Sequence, residues 1–234
     1  MKKNLLYLFL FVISSCKNIS ESNLELNVDP LINAYKNNNV EYYLKIVSGK
    51  DTIYTTDSVC INKNGLITLE SVKKGCLSET KNEYDSLNRI IKTEHNSDIH
   101  YRIGFEYKLD EKTGNLIRYS KNQTHKKLKS YEYFKYEKGK LIQQFVYNED
   151  TKDTLRIITY KYNKKNKIIQ ISKNNLFDKY EIKTEYTYRP NNTLKQIIDY
   201  AEVKYISEKT GLIDSVKQKF PNEKITYKYF YRKN

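Results

Sequence analysis

Aromatic and polar side chains alternate along much of this chain. The alternation is clearest in the segments Tyr160–Tyr162, Tyr186–Tyr188 and Tyr227–Tyr231, where every second residue is a tyrosine. Successive side chains of a β-strand point to opposite faces, so the tyrosines of each segment lie on one face and the polar residues on the other. A period of two residues predicts β-strands.

Short polar turns separate these strand-like segments at a regular interval. The tetrapeptide Glu111–Gly114 returns as Glu208–Gly211, and looser copies of the same unit lie around them. Glycine and asparagine accept the positive φ that tight hairpin turns require. The turn residues lie 19 to 27 positions apart, at Gly65, Asn88, Gly114, Gly139, Asn166, Asn192 and Gly211. This spacing indicates a repeat architecture, in which each hairpin buries its apolar face only against its neighbours.

The fold class that this pattern predicts is all-β, a curved antiparallel meander of repeated β-hairpins over residues 40–234. The sequence leaves open whether the meander curls toward an open barrel or a spiral. Residues 16–39 predict a polar tether and a short helix, with Asp29 as its cap and Pro30 at its first position. No Ser/Gly-rich linker marks a second domain.

The first 15 residues have the features of an export signal. A basic start, Met1–Lys3, precedes an apolar run, Leu5–Ile13, that is shorter than the roughly 20 residues a membrane-spanning helix needs. Two serines then lead to Cys16. The tetrad Ile13–Cys16 resembles the lipobox of bacterial lipoproteins, which implies cleavage before Cys16 and acylation of its thiol and new amino group. The alternative is an ordinary signal peptide followed by an unrelated cysteine.

The positive charge of the chain is scattered. Its 42 Lys and Arg against 28 Asp and Glu give a formal net charge of +14. Such an excess can attract acidic polysaccharide or anionic lipid, but dispersed lysines more often solvate a surface and protect sheet edges from pairing. Because an exported protein rarely meets nucleic acid, we exclude nucleic acid as a partner.

The candidate chemistry is sparse. With Cys16 assigned to lipid, Cys60 and Cys76 are left as either a disulfide in an oxidising compartment or two buried free thiols. His95 and His100 are five residues apart, which in a strand places them on opposite faces, so we predict no metal site. Phosphate-binding loops and nucleophile elbows are absent from the sequence, and we expect neither an enzyme nor a cofactor.

One segment carries a family resemblance. In Glu83–Ile91, Glu83 is followed by Tyr-Asp, two variable residues, Asn, Arg and two isoleucines. This segment is similar to the tyrosine–aspartate (YD, or Rhs-type) repeat, with Asn88 in place of the usual glycine. Later copies keep the aromatic and aliphatic arms and lose the Tyr-Asp pair. The resemblance implies a coiling ribbon of hairpins in a small lipoprotein of the Bacteroidota type.

The tyrosines allow two interpretations. The chain has 23 tyrosines and no tryptophan. Our leading expectation is a structural ladder on a half-exposed sheet face, with the rings packed and the hydroxyls in water. The alternative is a stacking platform for a sugar, an acyl chain or an extended peptide.

These features together predict a non-enzymatic cell-envelope protein. Lipid on Cys16 would hold it at a membrane, with an outer-membrane location facing the periplasm favoured and surface display left open. Its β-repeat surface would bind or scaffold an envelope protein or a glycan. The alternative function is a carrier or sensor of a small apolar or glycan ligand in a concave, tyrosine-lined sheet.

Overall fold

The computed structural model describes residues 24–233 apart from 25, 27, 49–52, 74–76, 99, 122–129, 200–201 and 219–225. Within these residues lie one helix, α1 (Pro30–Asn37), and sixteen strands. The strands are β1 (Val40–Ser48), β2 (Ile53–Ile61), β3 (Ile67–Val72), β4 (Ser78–Tyr84), β5 (Ile90–Asn96), β6 (Tyr101–Leu109), β7 (Leu116–Lys121), β8 (Ser130–Glu137), β9 (Lys140–Asn148), β10 (Thr154–Tyr162), β11 (Ile168–Asn175), β12 (Tyr180–Tyr188), β13 (Leu194–Ile198), β14 (Glu202–Ile206), β15 (Ile213–Gln218) and β16 (Thr226–Lys233).

The strands form a single antiparallel sheet that curls into a nearly closed barrel. Each strand pairs with the next along the chain from β1 to β15, and β16 pairs with β1. Within the described residues no backbone ladder joins β15 to β16, which leaves one seam. The Tyr231 hydroxyl bridges this seam, since it accepts from the Ile213 amide at 3.1 Å and donates to the Ile213 carbonyl at 3.2 Å. The predicted all-β meander is confirmed, and its curl is resolved as a barrel.

The hairpin turns lie where the sequence predicts them. All seven predicted turn residues have positive φ, between 61° at Asn88 and 81° at Gly65. Most of these turns are flanked by a register shift at the end of the strand that enters them, as between Lys161 and Tyr162. At Asn88 and Asn166 this is the geometry of a type I turn closed by a left-handed residue and a bulge, whereas Lys138 and Gly139 both have positive φ, as in a type I′ turn. The seven turns share one end of the barrel with α1, and we call this end the helix rim.

The segment that resembles a YD repeat shows how one such turn is held. Asp85 Oδ1 accepts from the amides of Leu87 and Arg89, both at 2.9 Å, and Asp85 Oδ2 accepts from Arg89 Nε at 2.7 Å. The Arg89 guanidinium then lies 4.6 Å from the ring centre of Tyr107, in the next hairpin. The Asp85–Arg89 side chains are only 20% and 14% exposed, so this pair is better shielded from water than an exposed surface pair.

Tyrosine hydroxyls tie successive hairpins together. Tyr hydroxyls at the ends of even-numbered strands donate to carbonyl groups at the start of the preceding odd-numbered strands. The pairs are Tyr84–Ile67 (2.8 Å), Tyr107–Ile90 (2.9 Å), Tyr162–Leu141 (2.9 Å), Tyr188–Ile168 (2.7 Å) and Tyr231–Ile213 (3.2 Å). The expectation that the tyrosine hydroxyls stay in water is therefore wrong for these five. Because a hydroxyl removed from water needs a partner, each of these rings packs where the start of the preceding strand supplies a carbonyl.

Removing one of these hydroxyls is expected to cost a modest, measurable amount of stability. Tyr188→Phe should lower the free energy of unfolding by about 1 kcal/mol, because the Ile168 carbonyl loses its side-chain donor. Tyr119→Phe is the matched control, since no hydroxyl hydrogen bond of Tyr119 is found among the described residues. Urea denaturation of the two variants measures both values, and equal losses would contradict a role for the hydroxyl.

The N-terminal segment lies inside the barrel at the helix rim. Asp29 Oδ1 accepts from the Leu31 amide at 2.9 Å, and Pro30 occupies the first turn, which confirms the predicted cap and start of α1. Leu31 and Tyr35 of α1 pack in a cluster that draws on β1 and β2 from one side and on β11 to β15 from the other. Leu24 packs in a second cluster with Leu116, Phe134 and Leu141. The segment expected as tether and helix thus contributes Leu24, Leu31 and Tyr35 to the core.

The face of the sheet that points away from α1 carries charge on three neighbouring strands. On β4, β5 and β6 these outward residues form the pairs Lys81–Glu79, Lys92–Glu83 and Arg102–Glu94, all substantially exposed. None of the described residues forms a helix of the length and apolarity that crossing a bilayer requires.

Candidate functional site

A cleft at the helix rim is the best-formed concavity near the N-terminal segment. The described residues between Leu24 and Lys36 cross the rim between the turns after β2 and β4 on one side and the turns after β10 and β12 on the other. The space between this segment and the turns measures about 650 Å³. Ligand sites commonly fall between about 300 and 1,000 Å³, so the cleft is large enough for a small ligand.

The floor of the cleft is apolar and aromatic. Aliphatic side chains come from the N-terminal segment, from the strand starts that follow three of the turns and, in the case of Leu87, from a turn itself, and two tyrosines come from the strand ends. They are Leu24, Leu26, Val28, Ile32, Leu66, Leu87, Ile168, Leu194, Tyr162 and Tyr188. The repeat explains their convergence, because each unit places an aliphatic residue directly after its turn and an aromatic residue directly before it.

The mouth of the cleft is polar and rich in amides. The repeat supplies Asn64, Asn88, Asn166 and Asn192 from four separate turns. Asn64 Nδ2 donates to Asn88 Oδ1 at 2.7 Å, and Lys140 donates to Asn166, so three of these four amides are already engaged. Asn88, Asn166 and Asn192 have the positive φ of their turns, and with Asn64 they also place hydrogen-bonding groups at the mouth.

Other polar groups at the mouth have no partner. The side chains of Asn33, Lys36, Lys167 and Asn192 all border the cleft, and none of them has a polar or ionic partner among the described residues. The carboxylate in the lining is Asp29, which is occupied by the Leu31 amide. Burial raises the pKa of Asp29, although the Leu31 amide and the charge of Lys204 both oppose the shift. The two lysines against this one carboxylate leave the charge at the mouth positive on balance.

Apart from the cleft, a cluster of four tyrosines lies inside the barrel beside α1. Tyr35 stacks on Tyr43 with ring centres 5.8 Å apart, and Tyr43 contacts Tyr229 and Tyr231 at 6.1 and 5.9 Å. Burial is the main cause that raises the pKa of each of these four hydroxyls, and it raises the pKa of Tyr43 to about 12. These groups carry no charge at neutral pH, so the cluster is suited to packing and not to proton transfer.

The raised tyrosine pKa values predict a loss of stability at alkaline pH. Burial raises the pKa of Tyr43, Tyr84 and Tyr188 to about 12, whereas tyrosines of the unfolded chain ionise near 10.0. A folded pKa above the unfolded pKa means that the stability is fully present below pH 10 and is lost as the pH rises toward 12. We expect tyrosinate absorbance and the loss of β-sheet circular dichroism to rise together in that window. Ionisation of all tyrosines near pH 10 with the sheet intact would contradict this.

The structure places the other predicted residues apart from the cleft. Cys60 lies on β2 opposite Leu69 and forms no disulfide within the described residues. Cys16 and Cys76 lie outside the described residues, so lipidation and the Cys60–Cys76 pairing stay predictions. His95, on β5, stacks on Tyr101 and forms a hydrogen bond with Thr80. His100 lies just before β6, so the two histidines are not on one strand, contrary to the expectation. No group of three metal ligands occurs in the described part of the chain.

A buried ionic network went unnoticed in the sequence. Arg118 donates to Glu132, Gln144 donates to the other oxygen of Glu132, and the Tyr160 hydroxyl donates to Gln144 Oε1 at 3.0 Å. The guanidinium of Arg118 lies 4.6 Å from the ring centre of Phe105. Burial opposes the charge of Arg118, but Glu132 and Tyr107 outweigh it and raise the pKa of the guanidinium. The one signal in the sequence is that Arg118 lies two residues after Leu116, which places both side chains on the same face of β7.

Comparisons with known proteins identify no family for the chain. No protein-family model and no curated protein matches it. Among solved structures it is similar to a porin-like protein from Bacteroides uniformis, with 10% sequence identity and a TM-score of 0.35, over 80% of this chain and 82% of that chain. The similarity is low in both sequence and structure. The resemblances of Glu83–Ile91 to a YD repeat and of Ile13–Cys16 to a lipobox remain predictions.

Proposed function

We propose that this chain is a lipid-anchored protein of the bacterial cell envelope whose barrel serves as a non-enzymatic binding or scaffolding body. The observation that carries the proposal is the leader that ends in Ile13–Cys16. The outward ion pairs of β4, β5 and β6 support it as well, because contact with hydrocarbon would need an outward apolar band there. Lipid on Cys16, and not the barrel wall, would therefore hold the protein at the membrane.

The anchor would also orient the barrel. Leu24, the first described residue, is buried at the helix rim and lies eight positions after Cys16. Eight residues span at most about 28 Å when fully extended. The helix rim and its cleft would then stay close to the membrane surface, with the opposite end of the barrel directed away from it.

Replacing Cys16 tests the anchor directly. In a cell fractionation, Cys16→Ser should move the protein from the membrane fraction to the supernatant, because the thiol that accepts the lipid is gone. Cys60→Ser is the matched control and should leave the partition unchanged, since Cys60 lies on a strand of the barrel. A Cys16→Ser protein that still sediments with membranes would overturn the proposal.

A second candidate function is the carriage or sensing of a small ligand, and the cleft favours it. An apolar floor below a polar mouth is the usual design of ligand sites. A ligand present at 100 times its dissociation constant would stabilise the protein by about 2.7 kcal/mol. Thermal melting with envelope lipids and oligosaccharides separates the candidates, because a pure scaffold would show no ligand-dependent shift.

A further inference from the structure

The cleft at the helix rim contains groups that select among ligand classes. Lys36 on α1 and Lys167 in the turn after β10 both border its mouth with no ionic partner among the described residues. Asn33 and Asn192 also border the mouth, and their side-chain amides have no hydrogen-bond partner among the described residues. Two ammonium groups and two amides offer hydrogen-bond donors mainly, with the amide oxygens as acceptors.

The floor requires that the ligand also have apolar faces. Leu66, Ile168 and Leu194 lie at the strand starts beneath the mouth, and Tyr162 and Tyr188 lie at the strand ends. A bare inorganic anion would meet the lysines and leave this floor uncovered. A purely apolar ligand would cover the floor and leave the amides and ammonium groups without partners, which is costly where water is displaced.

We propose that the cleft binds a short acidic oligosaccharide. A sugar ring has hydroxyl groups for Asn33 and Asn192 and C–H faces for the aliphatic and aromatic floor, and a carboxylate on the sugar would pair with Lys36 and Lys167. The volume of about 650 Å³ is sufficient for a short oligomer. The inference rests on the ligand-binding candidate above and names its ligand class, but it does not depend on the lipid anchor.

Charge on the sugar is the feature to test. The probe is a linear trimer of galacturonic acid, and its methyl ester is the uncharged control of the same shape. Calorimetric titration of the full chain in mild detergent should give binding of the acid trimer that weakens with added salt, with much weaker binding of the ester. The double substitution Lys36→Gln/Lys167→Gln should weaken binding of the acid trimer by about tenfold.

A second double variant distinguishes specific binding in the cleft from non-specific attraction of the acid trimer to the net positive charge of the protein. Lys164→Gln/Lys209→Gln removes the same charge from turns of the same rim, at residues that do not line the cleft. It should change the affinity by less than about twofold. No binding of the acid trimer, equal binding of its ester, or equal weakening in both double variants would overturn the inference. The Cys16→Ser fractionation has an independent readout, so the anchor and the ligand class fail separately.

Discussion

Arg118→Met is expected to lower the free energy of unfolding by about 3–5 kcal/mol, the largest effect we anticipate for a single change in this barrel. Glu132 is 8% exposed and Gln144 is 8% exposed, so the Glu132 carboxylate would remain buried with a neutral amide as its remaining partner. A buried carboxylate without a counter-charge either carries that cost or takes up a proton. Equilibrium urea denaturation of the variant measures the loss.

Two further variants define the origin of that loss. Arg102→Met breaks a pair of similar chemistry with Glu94 on the outer face, where the side chains are 52% and 27% exposed, and should cost at most about 1 kcal/mol. Arg118→Met/Glu132→Met removes both charges and should regain most of the stability, because an apolar pair of similar volume commonly replaces a buried ion pair well. A double variant no more stable than the single one would show that the arginine acts through packing on Phe105 and not through charge.

Gly65→Ala is expected to have the second largest effect and to displace α1. Gly65 has a φ of +81°, and a Cβ atom at this position would lie 2.2 Å from the Ile32 carbonyl oxygen of the helix. Backbone atoms cannot tolerate that distance, so the turn after β2 and the helix must separate. We expect the left-handed strain of about 1–2 kcal/mol together with a similar cost for the lost contact.

Gly139→Ala provides the control for strain alone. Gly139 has nearly the same φ, +76°, and a Cβ there would meet nothing within 4 Å. Its loss of stability should therefore equal the strain contribution, with α1 unchanged. Hydrogen exchange of the α1 amides distinguishes the two variants, since faster exchange is expected only for Gly65→Ala. Equal stability losses and unchanged exchange in both would show that the rim does not hold the helix.

The local features of this protein could be read from its sequence because they depend on short-range chemistry. Positive-φ turn residues such as Asn88 and Gly139, the aromatic alternation in Tyr160–Tyr162 and the capped start of α1 at Asp29 each involve neighbouring residues only. The structure confirms all of these. A hairpin repeat is local by construction, so one sequence suffices to recognise it.

The closure of the sheet could not be read in this way, because it depends on long-range contacts. Both faces of many strands carry polar residues, as the inward Lys45–Asp57 pair and the outward Lys92–Glu83 pair illustrate. The alternation therefore does not identify the inner face. The cleft was missed for a related reason: Lys36 and Lys167 are 131 positions apart, and only the closed rim brings them to one mouth.

The pairing of β1 with β16 has a consequence for how the chain acquires its shape. Every other ladder among the described residues joins strands that are neighbours in sequence, whereas Val40 lies opposite Lys233. Neighbouring hairpins can form early and quickly, but this one ladder must wait until the final strand is available, and its closure entropy is the largest in the molecule. We therefore expect the hairpins to pair in chain order, followed by one slow step in which β16 pairs with β1. Until that step, the unpaired edges of β1 and β16 can pair wrongly with another copy of the chain.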